Sequence, residues 1–428
     1  MNYEECLEYI STAYKFNKKA GTERIAILLE HMGNPHKKLK FVHVAGTNGK
    51  GSTTSFISNI LMDANYKVGI YTSPFITSFT ERIRINNKDI EKEAVASIIS
   101  NIKDIVDDFH LKGIITPTEF DIVTATAFQY YADNNCDIVV LETGLGGKHD
   151  STNVIETNEA SIITTIGLDH MDILGTDICD IAWHKAGIIK EGSDVIVYPQ
   201  EDKIVDIFET VSQEKKCKFH RVLLSDIEAR YGSIEENKVV NSKFDYNKMK
   251  DLEITLLGKH QIINAAVAVE TVSVLSCKGY EITEKNIRDG LLKTTWVGRL
   301  EILKRSPIFI VDGAHNTQGV DVLLDNIELY FENKSIIFIV GILSDKDYKA
   351  MLQSVAPFAK QFITVTPNNK RAVDGEQLAA YLSCYHEDVV CAETIEKAIE
   401  LSMQQKCDVI CAFGSLYLIS EIRNHIRH

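Results

Sequence analysis

The sequence predicts an α/β protein with a phosphate-binding loop on a parallel sheet in its first domain and a smaller, Rossmann-like second domain. Apolar strand-like runs alternate with helical patterns along nearly the whole chain, which is typical of parallel sheets. One predicted strand, residues 41–45, leads through a glycine-rich loop into a helical run at 50–64. A second alternating series begins near residue 300. We therefore place the domains at residues 1–297 and 298–428.

Composition narrows the class of protein. The 428 residues carry a formal net charge of −14 and are 45% hydrophobic, which argues against nonspecific nucleic-acid binding and acidic membrane surfaces. No run approaches the roughly 18 apolar residues of a membrane span, and the acidic N-terminal segment is unlike a signal peptide. The nine cysteines are scattered without a C-x-x-C pair. We expect reduced thiols and a cytoplasmic protein with no nucleic-acid or membrane partner.

The glycine-rich segment GTNGKGS, residues 46–52, lies between the predicted strand and helix. Its glycines let backbone N–H groups approach an anion at the positive end of a helix. Lys50 adds charge for terminal phosphates, and Ser52 provides a hydroxyl where a magnesium ligand is wanted. The spacing departs from G-x-x-x-x-G-K-[ST], because Val44 occupies the first glycine position. Strand, loop, lysine and helix together predict mononucleotide binding rather than a structural turn.

The remaining elements follow in chain order. Further strands of the first domain are predicted at 68–72, 138–142, 161–166 and 195–198. A helix at 118–132 begins with Thr118 and Asp121 in a near capping box. The charged, alternating segment 218–257 is interpreted as an antiparallel edge of the first domain, and a helix follows at 261–275. Strands of the second domain are predicted at 308–311, 336–340, 362–365 and 409–413, before a terminal helix.

Several predicted strands end in polar residues that suit a ligand site. Ser73 follows the second strand, Glu142 ends the third, and His170 follows the fourth. Because ligands of open α/β sheets bind at the carboxyl ends of strands, we expect these side chains to converge. The Glu142 carboxylate offers the hard oxygen that Mg²⁺ prefers. A solvated turn for Glu142 and a structural role for His170 are the alternatives.

Four further residues suggest chemistry. Lys185 lies in an apolar-rich run, where a buried amine is costly unless it is paired or modified. Near the predicted domain junction, Arg299 offers a planar fork of donors that suits phosphate. Asp312 could accept from a ribose hydroxyl, and His315 could lie near a reacting centre. The alternatives are an interdomain ion pair for Arg299 and turn positions for the other two. An active site closed between two domains accounts for all three.

Together these segments resemble the folylpolyglutamate synthase/dihydrofolate synthase branch of the Mur ligase superfamily, over nearly the whole chain. The matching segments are HVAGTNGKGST (43–53), TSPFITSFTERIRIN (72–86), TPTEFD (116–121), ETGLGGKHDSTN (142–153), IGLDHMDILG (166–175), HKAGIIK (184–190), GKHQIINAA (258–266), WVGRLE (296–301), DGAHN (312–316) and GSLYL (414–418). The resemblance implies a Mur ligase-like fold and ATP-dependent amide ligation. A substrate carboxylate takes the γ-phosphoryl group of ATP, and the amino group of L-glutamate attacks the acyl phosphate.

The resemblance also implies roles for individual residues. The ATP contacts are Gly46, Thr47, Asn48, Gly49, Lys50, Gly51, Ser52, Asn264, Arg299 and Asp312. The Mg²⁺ ligands are Ser73, Glu142 and His170, and Lys185 becomes carbamylated, which turns a cation into a carboxylate-like organiser of metal or phosphate. Lys50, Lys185 and His315 are the catalytic residues. The substrate-binding residues are Arg82, Thr118, Glu119, Phe120 and Ser415.

Three segments depart from the family pattern, at four positions. Lys148 and His149 stand in a GGKHD segment where the family usually has GGRLD, so a bidentate arginine fork is lost. His184 replaces the usual acid before the special lysine, and Val297 replaces a common proline. None of these changes removes a proposed ligand. They bear on substrate preference rather than on the reaction.

We therefore expect a monomeric enzyme that adds L-glutamate to the γ-carboxyl group of tetrahydrofolate (poly)glutamates, with ATP, Mg²⁺ and, as a candidate, K⁺. Whether dihydropteroate is also a substrate stays open, although TPTEFD is more similar to folylpolyglutamate synthases than to bifunctional enzymes. One alternative is a Mur-type muropeptide ligase, which the 73–86 loop and a phosphate loop starting at residue 46 argue against. The other is a nucleotide-binding regulatory protein without turnover, which predicts loss of Lys50, Glu142, His170 or Lys185.

Overall fold

The computed structural model describes residues 1–13, 21–235 and 238–427. The chain forms two compact units. The first comprises Met1–Ile227, Tyr246–Leu252 and Ile263–Thr294, and the second comprises Glu228–Asp245, Glu253–Ile262 and Thr295–His428. The chain thus passes between the units several times from residue 227 to 295, and the functional boundary at 297/298 stays a prediction.

The first unit is built around one large sheet. Its strands are β1 (Phe41–Ala45), β2 (Val68–Tyr71), β3 (Ile83–Ile85), β4 (Lys88–Asp89), β5 (Ile138–Glu142), β6 (Ala160–Ile163), β7 (Asp194–Val197) and β8 (Lys218–Arg221). Its helices up to residue 214 are α1 (Tyr3–Thr12), α2 (Glu23–His31), α3 (Lys50–Asp63), α4 (Lys92–Lys112), α5 (Glu119–Asp133), α6 (Met171–Leu174), α7 (Ile178–Ala186) and α8 (Asp202–Glu214).

The strand order of this sheet places β1 at its centre. The order is β4-β3-β2-β5-β1-β6-β7-β8, with parallel pairing from β2 to β8 and antiparallel pairing of β3 and β4 at one edge. The chain continues from β1 on one side to β2 and later returns to β6 on the other. The carboxyl end of β1 therefore lies at a topological switch point, where ligands of such sheets bind.

Burial on both faces explains why the central strands are so apolar. Every residue of β1 and of β5 is buried, as expected for parallel strands with helices on both faces. One face packs against helices such as α4, whose apolar residues recur at three- and four-residue intervals: Val95, Ile98, Ile99, Ile102, Val106 and Phe109. Towards β7 the same face packs against α7 and α8 through Ala45, Ile163 and Val197, and α3 contacts β1, β2 and β5. The carboxyl edge of the sheet is thus held on a rigid core.

The segment 218–257 differs from its prediction as an antiparallel edge of the first sheet. Its first part, β8, pairs parallel with β7. The rest forms β9 (Ile227–Arg230), β10 (Ser233–Ile234), β11 (Val239–Val240), β12 (Ser242–Tyr246) and β13 (Met249–Ile254), in separate two- and three-stranded sheets. The alternation identified strands correctly but could not identify their partners, because sheet pairing is not encoded within the segment.

The long helix α9 (Lys259–Cys277) and α10 (Glu284–Lys293) follow. The second unit then contains β14 (Glu301–Arg305), β15 (Ile308–Val311), β16 (Ile336–Val340), β17 (Gln361–Thr364), β18 (Val389–Cys391) and β19 (Val409–Phe413). Its helices are α11 (Thr317–Phe331), α12 (Tyr348–Val355), α13 (Gly375–Leu382), α14 (Ile395–Gln404) and α15 (Leu416–Arg427). The sheet order is β14-β15-β19-β16-β17-β18, with only β14 antiparallel to its neighbour.

The α/β fold class predicted from the sequence is confirmed, and each of the nine predicted strands in the two parallel series is present within three residues of its expected ends. All nine cysteines are free thiols. None of the helices in the described part of the chain has the length and apolar character that a bilayer-spanning helix requires.

Candidate active site

The loop between β1 and α3 depends on glycine at two positions. A Cβ atom at Gly46 would lie 1.7 Å from the Thr164 hydroxyl oxygen, so no other residue fits without moving the loop. Gly49 begins α3 with a left-handed φ of 85°, and a Cβ there would lie 2.8 Å from Oδ1 of Asn264. The structure therefore brings the Asn264 side chain to the N-terminus of α3, at the end of the phosphate loop.

The residues after β6 fix this loop in place. The Thr47 backbone N–H donates to the Thr165 carbonyl at 2.6 Å, and the Thr47 hydroxyl donates to the Gly167 carbonyl at 3.0 Å. The Thr164 hydroxyl donates to the Asn48 carbonyl at 2.7 Å. These bonds hold the loop backbone before any ligand arrives, which lowers the ordering cost of binding.

Two lysine side chains meet at one carbonyl oxygen of the loop. Nζ of Lys50 donates to the carbonyls of Gly46 and Thr47 at 3.1 and 3.0 Å. Nζ of Lys185, on α7, donates to the same Gly46 carbonyl at 2.7 Å. Burial, followed by the nearby Lys50 charge, lowers the pKa of Lys185 to about 7. The Gly46 carbonyl thus accepts from two amines, of which Lys185 has the lowered pKa, at the edge where a phosphate chain would bind.

Glu142 is the last residue of β5, and Ser73 lies two residues beyond the end of the neighbouring strand β2, at the same edge of the sheet. β2 and β5 are parallel, with Tyr71 opposite Leu141, so Ser73 and Glu142 follow corresponding positions. Glu142 is 4% exposed, and Ser73 is half-buried. A carboxylate and a hydroxyl are hard oxygen donors, and Mg²⁺ is usually bound through one or two carboxylates together with substrate phosphates. This donor set fits a magnesium ion that arrives with a nucleotide.

His170 lies differently from the other two predicted ligands. It has a left-handed φ of 52°, directly precedes α6, and is exposed. Its Nε2 atom is 3.9 Å from an oxygen of the adjacent Asp169. Imidazole nitrogen is a softer donor than Mg²⁺ prefers. Among the described residues, no three His, Cys, Asp or Glu side chains group closely enough to hold a metal by themselves.

Two of the predicted substrate-binding residues, Arg82 and Phe120, form an aromatic and cationic wall together with Phe79. The Arg82 guanidinium carbon lies 5.5 Å from the centre of the Phe120 ring and 5.8 Å from that of Phe79. Arg82 is 7% exposed. A Cβ atom at Gly144 would lie 2.4 Å from the Phe120 ring, so the loop after β5 passes directly beneath this ring. Such a wall suits a planar aromatic ligand.

Thr118 and Glu119 begin α5 beside this wall. The predicted capping box is present: the Thr118 hydroxyl accepts from the Asp121 backbone, and the Asp121 carboxylate accepts from the Thr118 backbone. The Thr118 side chain is buried, and Glu119 is half-buried. The Thr118 hydroxyl also donates to the Asp121 carboxylate at 2.8 Å. Its main role in the structure is therefore to cap the N-terminus of α5.

In the second unit, Asp312 ties two predicted site segments together. Its carboxylate accepts from the backbone N–H of Leu300 and of Ala314, both at 2.8 Å. Leu300 has a left-handed φ of 42°, a strained value for a leucine that this bond helps to hold. Burial raises the pKa of Asp312, and the Arg299 charge opposes that rise. A Cβ at Gly313 would lie 2.0 Å from Nη1 of Arg299, so the guanidinium lies directly over this glycine.

His315 and Ser415 also belong to the second unit. Nδ1 of His315 lies 2.7 Å from the Gly313 carbonyl. Because a carbonyl only accepts, Nδ1 bears the proton and Nε2 is the basic nitrogen of the neutral ring. The buried Ser415 hydroxyl accepts from the Tyr417 backbone at the start of α15. The structure thus places both residues in loops at the carboxyl ends of strands β15 and β19.

Several residues that shape the site were not identified from the sequence. Thr164 and Thr165 anchor the phosphate loop. Asp150 accepts from the Leu145 backbone at 2.7 Å and shapes the loop after β5, and burial raises its pKa. Arg24 pairs with Asp121 inside the first unit. Two features of the sequence could have indicated these residues. Arg24 is a charged residue within the apolar run of α2, and Thr164 and Thr165 form a polar pair at the end of a strand.

Comparison with known proteins identifies two family regions in the chain. Residues 44–272 match the Mur ligase middle domain. Residues 298–416 match the glutamate ligase domain of Mur ligases. The first match contains the phosphate loop, and the second contains Arg299, Asp312 and His315.

Individual relatives extend the similarity over the full length. A dihydrofolate synthase/folylpolyglutamate synthase of Bacillus subtilis is 34% identical, with 99% of each chain covered. The crystal structure of a folylpolyglutamate synthase of Thermotoga maritima has a TM-score of 0.87 at 33% identity, covering 99% of this chain and 96% of that one. A folylpolyglutamate synthase complex with AMPPCP and folate has a TM-score of 0.87 at 31% identity, with each chain fully covered.

Proposed function

This chain belongs to the folylpolyglutamate synthase/dihydrofolate synthase family of Mur ligases, and on that premise we propose that it joins L-glutamate to the γ-carboxyl group of a reduced folate. It is an ATP-dependent, amide-forming ligase. The relatives with AMPPCP and folate bound support both substrate classes. A muropeptide ligase is not favoured, because the full-length relatives act on folates by name.

The observation that bears most on this proposal is the convergence of two amines on the phosphate loop. Lys50 and Lys185 both donate to the Gly46 carbonyl, and the rigid loop backbone ends at the N-terminus of α3. A triphosphate bound there would meet helix N–H groups and one lysine charge. Phosphoryl transfer depends mainly on positioning and charge neutralisation, and both are properties of this loop.

The proposed steps assign one task to each group of residues. Gly46, Thr47, Asn48, Gly49, Gly51 and Ser52 bind the phosphates through the loop, and Lys50 neutralises charge as the γ-phosphoryl group moves to the folate carboxylate. Asn264, Arg299 and Asp312 provide the remaining nucleotide contacts. The neutral Nε2 of His315 lies in the glutamate part of the site, where it can accept a proton from the attacking amine. Arg82, Thr118, Glu119, Phe120 and Ser415 bind substrate.

We also propose that Lys185 is carbamylated. A neutral amine is needed to react with CO₂, and burial already lowers the pKa of Lys185 to about 7. The product is an anion that would accept a hydrogen bond from Lys50 instead of repelling it. Growth with ¹³C-bicarbonate should yield a carbamate ¹³C resonance that Lys185→Ala lacks. Its absence from the wild-type spectrum would remove this part of the proposal.

Magnesium is the metal that the site residues fit. Glu142 and Ser73 would hold it by oxygen, with His170 as the third proposed ligand, and the ion would supply charge neutralisation for the transferred phosphoryl group. K⁺ as a further cofactor is supported only by the family. A monomeric state and a cytoplasmic location complete the proposal, the latter supported by nine free cysteines.

The deciding experiment measures phosphate release from MgATP and L-glutamate, with tetrahydrofolate and dihydropteroate in separate reactions. Turnover with tetrahydrofolate alone identifies a dedicated folylpolyglutamate synthase. Turnover with both identifies a bifunctional enzyme, as the Bacillus subtilis relative is named. No turnover with either substrate would contradict the proposed function and favour muropeptide substrates.

Two lysine variants test the assigned roles in the same assay. Lys50→Ala should abolish turnover and leave the protein folded, because it removes phosphate charge and not core volume. Lys185→Ala should lose most activity and regain part of it with added short carboxylates, which can replace a carbamate. The variant Lys103→Ala, on α4, is the matched control for general loss of lysine charge.

A further inference from the structure

One buried carboxylate connects three distant segments behind the substrate wall. Asp121 is fully buried. Its Oδ2 atom accepts from Nε of Arg24 at 3.0 Å and from the Thr118 backbone and hydroxyl, both at 2.8 Å. Its Oδ1 atom accepts from the Ser151 hydroxyl at 2.6 Å. Helix α2, the start of α5 and the turn at 151–154 are therefore joined at one side chain.

One of the elements that Asp121 joins, the start of α5, carries the Phe120 ring of the substrate wall. Phe120 is its neighbour in the first turn of α5, and the Phe120 ring rests on Gly144. The backbone around Gly144 is fixed in turn by Asp150, which accepts from Leu145 at 2.7 Å and directly precedes Ser151. One path of hydrogen bonds thus leads from Asp121 to the loop under the Phe120 ring.

The energetics favour a positional role over a stabilising one. Desolvation of two charges largely offsets their attraction, so a buried ion pair is weak evidence of net stabilisation. Loss of either partner is nevertheless costly, because it leaves the other charge buried without its ion-pair partner. Asp121 accepts four hydrogen bonds from three segments, which restricts the rotation and translation of α5 relative to the loop. A shift of about 1 Å in a binding group can change a rate a hundredfold.

We propose that Asp121, held by Arg24 and Ser151, is a positioning residue for the aromatic part of the folate substrate. It fixes the Phe120 ring against Gly144 and near the Arg82 guanidinium, so that the ring is held in place for a planar heteroaromatic ligand. Asp121 does not contact the ligand, because all of its contacts are inside the protein. The ligand class rests on the proposed function, whereas the network itself rests on the geometry.

The test compares steady-state constants for Asp121→Asn and for Asp133→Asn. Asp133 ends the same helix and is exposed, so its variant controls for charge loss on α5. Asp121→Asn should raise the folate KM roughly tenfold to a hundredfold, while the KM values for ATP and glutamate change less than about twofold. A folate KM equal to that of wild type would overturn the proposal. A wild-type enzyme silent on all folates would instead contradict the proposed function.

A double variant distinguishes positioning through Phe120 from general loosening of the fold, because the two cases predict different folate KM values. If Asp121 acts through the Phe120 ring, Asp121→Asn should add nothing to the folate KM of Phe120→Ala. Independent, multiplicative effects would overturn that path. Arg24→Lys should restore part of the folate affinity lost in Arg24→Gln, because it returns the charge without the fork.

A milder variant keeps the proposal testable if Asp121→Asn does not fold. Ser151→Ala removes one donor and leaves the Arg24–Asp121 pair in place. It should raise the folate KM about threefold, in line with loss of one hydrogen bond to a charged group, without changing the ATP KM. An unchanged folate KM in folded Ser151→Ala protein would count against the proposal.

Discussion

At the scale of single residues, the position of the phosphate loop depends on the missing side chain of Gly46. We predict that Gly46→Ala raises the ATP KM at least about tenfold, since an atom at 1.7 Å from the Thr164 oxygen must displace Thr164 or the loop. Thr164→Ala in the same background removes that oxygen and should restore part of the affinity. Steady-state kinetics check both variants. An ATP KM near wild type in Gly46→Ala would contradict this account of the loop.

Lys185 should make stability depend on pH in a defined direction. Its pKa is about 7 in the folded chain and about 10.4 when unfolded, so between these values the unfolded chain binds more protons. The free energy of unfolding should therefore rise with pH from about 7 to 10, by up to roughly 1.4 kcal/mol per pH unit from this group. Below pH 7 the cost of burying the charged amine is fully present.

Urea unfolding in CO₂-free buffer measures this contribution. Relative to wild type, Lys185→Met should be most stabilised near pH 6, and the difference should vanish towards pH 10. A difference that is constant over this range would show that Lys185 does not titrate as the structure indicates. The exposed Lys103→Met, on α4, provides the control for an ordinary lysine.

At the scale of elements, helix α10 packs against α3 through Gly290. A Cβ at this position would lie 2.5 Å from the Ile60 Cα atom, and a backbone atom cannot rotate away. Gly290→Ala gains about 1 kcal/mol of helix propensity but must separate the helices. We predict net destabilisation, with an overpacking cost of roughly 1–3 kcal/mol.

Urea denaturation tests this packing, with Leu292→Ala on the exposed side of α10 as the control. Because α3 begins at the phosphate loop, Gly290→Ala should also weaken ATP binding, although it is remote from the ligand. Greater stability of Gly290→Ala would mean that the two helices can move apart without loss.

The ends of helices and strands were predicted correctly where the determining interactions are local in the sequence. The capping box of Thr118 and Asp121 fixed the start of α5, because its hydrogen bonds lie within four residues. The strands 41–45 and 138–142 were predicted to the residue, since the first is an apolar run followed by Gly46 and the second is an apolar run that ends at Glu142. Segment 218–257 was predicted with the wrong partner, because strand pairing depends on residues far along the chain.

At the scale of the whole molecule, nucleotide binding should stabilise the chain against unfolding. MgATP at about a hundred times its dissociation constant should add about 2.7 kcal/mol to the free energy of unfolding, if it binds only the folded state. Thermal unfolding with and without MgATP measures the shift. Lys50→Ala should lose most of it, whereas the remote Lys103→Ala should keep it. Equal shifts in both variants would place the nucleotide elsewhere.

The sequence by itself determined the α/β class, the phosphate loop and the family. Those properties reside in local patterns: apolar periodicity, the glycines of residues 46–51 and the motifs around Glu142 and Lys185. Tertiary structure alone decided that Lys185 and Lys50 share the Gly46 carbonyl, that Thr164 lies against Gly46, and that Asp121 joins Arg24 to Ser151. Apart from the local bond between Lys50 and Gly46, these contacts join residues about 30 to 140 positions apart. Their partners are set by sheet order and helix packing, and no local pattern specifies either.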